Sequence, residues 1–290
     1  MVNVIKTGKR CKIGNVKIIG KGKIILGDDV TIGNNVVINV SELLFVDDRS
    51  MIGDHFEIEG RYIKIGKEFW SGRYCGIGGG SCFEKLSILE VGYQSHLGDF
   101  AFINTARPVK IGDEVGLGQF TRVYTHGVYE SFLNGFPVDF GPITLEDRVW
   151  CPNATILPNV TIGHDTVVGA GAVIVKSLPS GCLALGVPAK VVKENCFPRK
   201  FSKQEKIKMI EQFINHFIND IQFSKDIRQS GTKVFVGRTS FDLEETVIDG
   251  EANELTERFK NELRRYGVRF RYYNKDGIYA KWGSDTSRAH

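Results

Sequence analysis

The sequence predicts a mainly β protein, a parallel β-helix followed by a small α+β domain. Three observations lead there: aliphatic residues recur with a period of six, glycines stand directly beside many of them, and the repeat gives way beyond Ala189 to helical spacing.

The repeat begins with Ile13-Gly14, Ile19-Gly20 and Ile25 and goes on through Leu26-Gly27, Ile32-Gly33 and Ile38-Asn39. Val91-Gly92, Leu97-Gly98 and Ile103-Asn104 carry the same spacing, as do Ile111-Gly112 and Leu117-Gly118. The clearest block runs Leu145, Cys151, Leu157, then Ile162-Gly163, Val168-Gly169 and Ile174. A small or β-branched residue follows four places on, as at Thr155, Thr166 and Ala172. Each leading aliphatic is expected to point inward and the small residue to fill the remaining space. Gly, Asn and Asp between them suit left-handed turn conformations that other residues resist. Three units make one triangular coil, and coils stack into a continuous column that no single unit could bury. An antiparallel sandwich would alternate with period two instead.

After the repeat, Phe201–Phe223 has Ile207, Ile210, Phe213, Ile214, Phe217 and Ile218 on one helical side. A strand at Lys233–Val236, a segment at Thr246–Ile248 and a second helix at about Ala252–Tyr266 follow. A hairpin is expected from Val268–Tyr273 and Ile278–Trp282 around Asn274-Lys275-Asp276-Gly277. The organisation expected is a β-helix over 1–195 and a small α+β domain over 196–290. The second domain holds no recognisable motif; packing, oligomerisation and acceptor binding are its candidate roles.

Composition narrows the class. The 290 residues are 42% hydrophobic and 25% charged, ordinary for a soluble globular protein. A net charge of +4 is too mild to suggest nucleic acid, though local lysines and arginines suffice for a phosphate-bearing small molecule. Cys11, Cys75, Cys82, Cys151, Cys182 and Cys196 form no CxxC pair and read as reduced thiols. The N-terminal stretch lacks the apolar core of a secretory signal, and no apolar run is long enough for a membrane span. A cytoplasmic location is expected.

The stretch WCPNATILPNVTIGHDTVVGAGAVIVKSLPSGCLALGVPAKVV resembles the hexapeptide-repeat acyltransferases, most clearly within Val91–Val192 and more loosely from the N-terminus. The resemblance implies that the helix is left-handed, that acetyl-CoA is the donor, that no metal takes part, and that active sites form between the subunits of a homotrimer. It points to an O-acetyltransferase acting on a sugar hydroxyl of a surface polysaccharide or related glycan. The alternative is an N-acetyltransferase acting on a nucleotide-linked amino sugar. A metal-dependent hydratase of the same fold needs three converging histidines, and His96, His126 and His164 show no tight pair.

Function in repeat proteins concentrates where the repeat breaks. The long break His126–Gly141 follows Tyr124-Thr125 and matches the place where the family keeps its base, which implies His126 as general base. Trp150 is the second catalytic candidate, as an apolar wall beside the base; plain filling at a coil corner is the other reading. For the donor the resemblance implies Asn153, Gly169, Ala170 and Gly171 along the pantetheine arm, with Lys176 and Lys190 near its phosphates. Asn104 and Tyr124 are the candidates for the acceptor side, and His96 or His55 is a further candidate for lining its cleft.

Overall fold

The computed structural model describes residues 5–221, 226–275 and 277–281. The chain divides into two compact units, Met1–Pro198 and Arg199–His290, each with its own core. The expected organisation into 1–195 and 196–290 remains a proposal about function as well as boundaries.

The first unit is a parallel β-solenoid. Short strands on three faces pair with the equivalent strand one coil on: Leu89 with Val109, Val109 with Ile143, Ile143 with Val160 on one face. His96 pairs with Gly116 and Gly116 with Trp150 on the second face, while Phe102 pairs with Arg122 and Arg122 with Thr155 on the third. The fold class read from the repeat is therefore present. Val36, Leu44, Ile63, Leu117, Val123, Leu145, Ile156 and Ile174 are among the buried aliphatics that fill the column.

Some units are shifted by one residue from the sequence reading. Ala154 and Ile156 point inward while Thr155 and Leu157 do not, because neighbours in a strand face opposite sides. In the same way Ile24 and Leu26 are buried around the half-buried Ile25. Ile19 is exposed, and Ile18 packs against the core instead. Ile13 is exposed in the first described coil.

The glycines beside the aliphatics have a different cause from the one expected. At Gly112 a Cβ would meet Asp147 Oδ1 at 2.5 Å and the Asp147 amide nitrogen at 2.8 Å. The same Asp147 Oδ1 accepts a hydrogen bond from the backbone N–H of Asp113 at 2.9 Å. Close approach of the next coil, not turn conformation, requires glycine there. The left-handed corner positions are held by side chains instead, including Arg49, Glu68, His55, Tyr74, Phe100 and Phe120. Each such residue costs roughly 1 kcal/mol in backbone strain. Contacts between coils offset it: Arg49 donates to Glu68, Arg148 to Asp165, and His55, Tyr74, Phe100 and Phe120 stack in sequence with ring planes within 8° of parallel.

Most coils repeat after about the length of three units, as Tyr93 and Asp113 do at a separation of 20 residues. Asp113 and Asp147 are equivalent across 34 residues, so the surplus leaves the solenoid as the loop that begins at His126.

The second unit is α+β. Helix α1 (Lys203–Ile221) and helix α2 (Glu254–Arg265) accompany antiparallel strands at Ile227–Ser230, Lys233–Val236, Thr239–Asp242, Val247–Glu251, Tyr272–Lys275 and Ile278–Lys281. The expected helices and hairpin are present, with two strands (Ile227–Ser230 and Thr239–Asp242) that the sequence reading missed. Phe223, Asp276 and Trp282 of that reading lie outside the described residues. Asn253 caps α2, its side chain accepting from the Thr256 N–H while Thr256 Oγ1 accepts from the Asn253 N–H. Phe213, Phe217, Phe241 and Phe259 close the core through edge contacts.

Candidate active site

The third face of the solenoid carries strands Gly76–Gly78, Phe102–Asn104 and Arg122–Val123 in register. Two breaks in the repeat meet at its edge. One follows Ile77 as Gly78-Gly79-Gly80, and the other follows Val123 as Tyr124-Thr125-His126.

Asn104 joins the two breaks. Its side chain is 2% exposed and its Nδ2 donates to the carbonyl oxygens of Gly78 at 2.8 Å and Gly80 at 3.3 Å. That pins the amide nitrogen toward the glycine turn and leaves Oδ1 facing His126 Nδ1 at 2.8 Å. An amide oxygen only accepts, so Nδ1 carries a proton, and the neutral ring is the tautomer with its lone pair on Nε2. Thr125 Oγ1 also donates to Asn104 Oδ1. The geometry thus makes Nε2 the basic nitrogen of the neutral imidazole.

Nε2 faces a glycine. A Cβ on Gly80 would stand 3.3 Å from it, so the bare Gly80 backbone leaves room for another group beside the ring. The ring stacks on Phe140 with centroids 5.3 Å apart, and the Arg107 guanidinium lies 4.4 Å over that phenyl ring. His126 and Phe140 are paired in the two-residue antiparallel stem of the long loop. A 3-10 turn, Phe132–Asn134, forms the outer part of the loop, where Tyr129 is 97% and Leu133 80% exposed.

The other candidates fall into separate groups. Tyr124 is half-buried, its ring 6.1 Å from Phe102 on the face that leads to His126. Asn104 sits behind the imidazole, not at the surface where an acceptor contact was expected. Trp150 lies outward on the second face, its ring 5.8 Å from His96 and lying over Gly116. Within one chain Trp150 and His126 are therefore on different faces. His96 also lies on the second face, between Trp70 and Trp150.

Asn153 and Gly171 follow Phe120 in register at the corner, Gly171 alone of the two in left-handed backbone, and the Gly171 N–H donates to the Asn153 carbonyl at 2.6 Å. Gly169 and Ala170 adjoin them, and Gly171 has open space where a Cβ would point. Lys176 and Lys190 are exposed on the last coils. His164 is a turn residue whose Nδ1 is 2.8 Å from Asp165.

Burial disfavours the thiolate form of the buried cysteines. Burial pushes the Cys151 thiol up to about 12 and that of Cys75 up to about 11, leaving both protonated at neutral pH. Among the described residues no three His, Cys, Asp or Glu side chains gather as a metal site, and no helix is long and apolar enough to cross a membrane.

Sequence reasoning missed the glycine turn Gly78–Gly80 that orients Asn104. Its signal was present as a second interruption of the repeat between Ile77 and Ile88.

A parallel solenoid of six-residue units, broken at an imidazole whose basic nitrogen is Nε2, defines the class to compare. The resemblance to hexapeptide-repeat acyltransferases is borne out by the relatives. A Schizosaccharomyces pombe protein provisionally named an acetyltransferase is 36% identical over 121 residues, covering 38% of this chain and 58% of its own. The galactoside O-acetyltransferase of Escherichia coli is 36% identical over 90 residues, covering 30% of this chain and 44% of its own. A second Escherichia coli protein, provisionally named a colanic acid biosynthesis acetyltransferase, is 31% identical over 107 residues, covering 37% and 58%. The chain thus spans about half the length of these relatives.

Among solved structures, a hexapeptide-repeat acetyltransferase of Vibrio cholerae is 25% identical with a TM-score of 0.40, covering 45% of this chain and 73% of its own. The same protein in complex with acetyl coenzyme A gives 26% and 0.39, covering 45% and 69%. No protein-family model matches the chain.

Proposed function

We propose that this chain is an acetyl-CoA-dependent O-acetyltransferase that acylates a sugar hydroxyl, with His126 as general base. The observation that carries the reading is the Asn104–His126 pair, which presents the Nε2 lone pair beside the bare backbone of Gly80. The galactoside and colanic acid names of two relatives support a glycan acceptor.

In the reaction, Nε2 takes the proton of the acceptor hydroxyl as its oxygen bonds to the thioester carbonyl carbon. The tetrahedral centre collapses, the C–S bond breaks, and the imidazolium proton leaves with the thiolate. A positioned base contributes roughly 10²- to 10⁴-fold, and holding hydroxyl and thioester together contributes more. Tyr124, on the face that leads to His126, belongs to the acceptor side.

For the donor, Asn153, Gly169, Ala170 and Gly171 line the pantetheine arm, and Lys176 and Lys190 neutralise phosphates. Trp150 faces away from His126 in its own chain, so its part as an apolar wall requires a neighbouring copy. A homotrimer with clefts between copies supplies one, and the exposed Phe132 and Leu133 of the long loop give it apolar contact surface. The cytoplasm is the compartment that holds the donor.

The deciding experiment gives the purified chain acetyl-CoA with two acceptor pools, oligosaccharides and nucleotide-linked amino sugars, then reads products by mass spectrometry beside a His126→Ala control. The expected product is an alkali-labile acetyl ester whose formation falls by at least about 10²-fold in the control. Undiminished transfer by the control would remove His126 from its role, and acetylation of amino sugars alone would replace the O-transfer reading with N-transfer.

A further inference from the structure

A groove of about 380 Å³ runs across the third face and ends one residue from Gly80. That volume is within the range of small-molecule sites. Its floor is the backbone of Gly76, whose missing side chain leaves room for the Phe102 ring: a Cβ on Gly76 would meet Phe102 Cδ2 at 2.9 Å, and one on Gly79 would meet Phe102 Cζ at 3.1 Å. Phe102 is therefore a wall that crosses from Gly76 to Gly79. On the opposite side of Gly76 from Phe102, on the preceding coil, stand Glu57 and Glu59. Asn39 Nδ2 donates to Glu59 Oε1 at 3.1 Å and holds that carboxylate in place.

The corner column closes the far end. His55, Tyr74 and Phe100 stack with centroids 4.5 and 5.3 Å apart, so their faces cover one another and their edges remain for the groove. Ring edges carry the positive side of the aromatic quadrupole and suit hydroxyl oxygens. Carboxylates accept hydrogen bonds from hydroxyl or ammonium groups and repel other carboxylates. The cation nearest in register, Arg122, follows Phe102 on the next coil and does not line the groove.

We propose that this groove is the acceptor subsite and that Glu57 and Glu59 select neutral or amino sugars against acidic ones. The assignment as acceptor subsite rests on His126 being the base, because a ligand lying over Gly76 and Gly79 reaches Nε2 past Gly80. The charge selection rests on the groove itself. Glycans rich in uronic or sialic acids are disfavoured, whatever the relatives act on. His55, a sequence candidate for the acceptor cleft, takes its place here, and His96 does not.

The test separates binding from transfer. Saturation-transfer NMR of the full chain without donor measures trisaccharides that end in glucose, glucosamine or glucuronic acid. The first two are expected to bind at least about tenfold more tightly than the third, and the gap to shrink to within about threefold in the Glu57→Gln/Glu59→Gln variant. Gly76→Leu, which fills the floor, is expected to weaken all three, with circular dichroism checking that each variant folds. Equal binding of the three, preference for the acid, binding of none, or a gap that survives in the double variant would each overturn the proposal. Acetyl transfer to the same trisaccharides is read in parallel. Charge-selective binding without transfer sinks the transferase reading and leaves the groove standing; transfer with charge-blind binding does the reverse.

Discussion

Asn104 supports His126 with both ends of one amide. Its oxygen accepts from His126 Nδ1 and Thr125 Oγ1 while its nitrogen is tied to two glycine carbonyls, so the amide cannot turn over without breaking all of these hydrogen bonds. Asn104→Leu removes the tie, lets the imidazole proton move between nitrogens, and takes the side-chain donor from the Gly78 and Gly80 carbonyls. Transfer is expected to fall about 10²-fold in kcat with KM little changed. Long-range ¹⁵N–¹H spectra of His126 should change from a single Nδ1–H form to a mixture, a readout that mere loosening of the fold would not produce. Asn104→Asp keeps an acceptor for Nδ1–H and should retain more activity than the leucine variant. A leucine variant with native kcat and an unchanged tautomer would contradict the positioning role. The histidine itself was legible in the sequence, because it opens a long break after Tyr124-Thr125. Its partner was legible only as a polar residue ending a repeat unit. Which way the amide turns depends on Gly78 and Gly80, some 26 and 24 residues away in the chain, and no spacing rule carries that.

At the scale of the coil, the repeat period revealed the solenoid because inward aliphatics must recur for the coils to share a core. The reason for its glycines was hidden, since a free choice of turn conformation and a forbidden Cβ leave the same letter. Comparing two glycines separates these causes. Gly112→Ala puts a methyl group 2.5 Å from Asp147 Oδ1 and against backbone of the next coil, whereas Gly127→Ala meets nothing within 4 Å. Gly112→Ala is expected to destabilise the solenoid by about 1–3 kcal/mol, and Gly127→Ala to stay within about 0.5 kcal/mol of the parent. Chemical denaturation followed by circular dichroism measures both; equal midpoints would mean that the coils yield at Asp147 without cost. Corner residues were less legible still. Tyr74, Phe100 and Phe120 hold left-handed backbone because each ring lies against a neighbour one coil away, a relation between chain positions 20 to 26 residues apart that local propensity does not express.

For the whole molecule, the sequence divides where its hydrophobic period changes, and the contact pattern divides at Pro198. The two cores share no member: one is a mainly aliphatic column from Ile24 to Ala184, the other a cluster rich in aromatic rings from Phe213 to Tyr279. They also have different folding economies. Every solenoid coil depends on the coils beside it, so that unit gains stability only as coils accumulate. The second unit closes its core among α1, α2 and an antiparallel meander, with Lys260 donating to Glu257 and to the Tyr272 hydroxyl, and Tyr279 donating to the other Glu257 oxygen at 2.6 Å. A core complete within a short stretch of chain suffices for autonomous folding at about this size. A fragment of residues 199–290 is therefore expected to show native helix content and one cooperative thermal transition, and residues 1–198 to retain their β spectrum without it. Calorimetry of the intact chain should resolve two transitions matching those of the fragments. A 199–290 fragment that stays unfolded would mean that its aromatic core is incomplete without the solenoid, and that the second unit is an extension of the first.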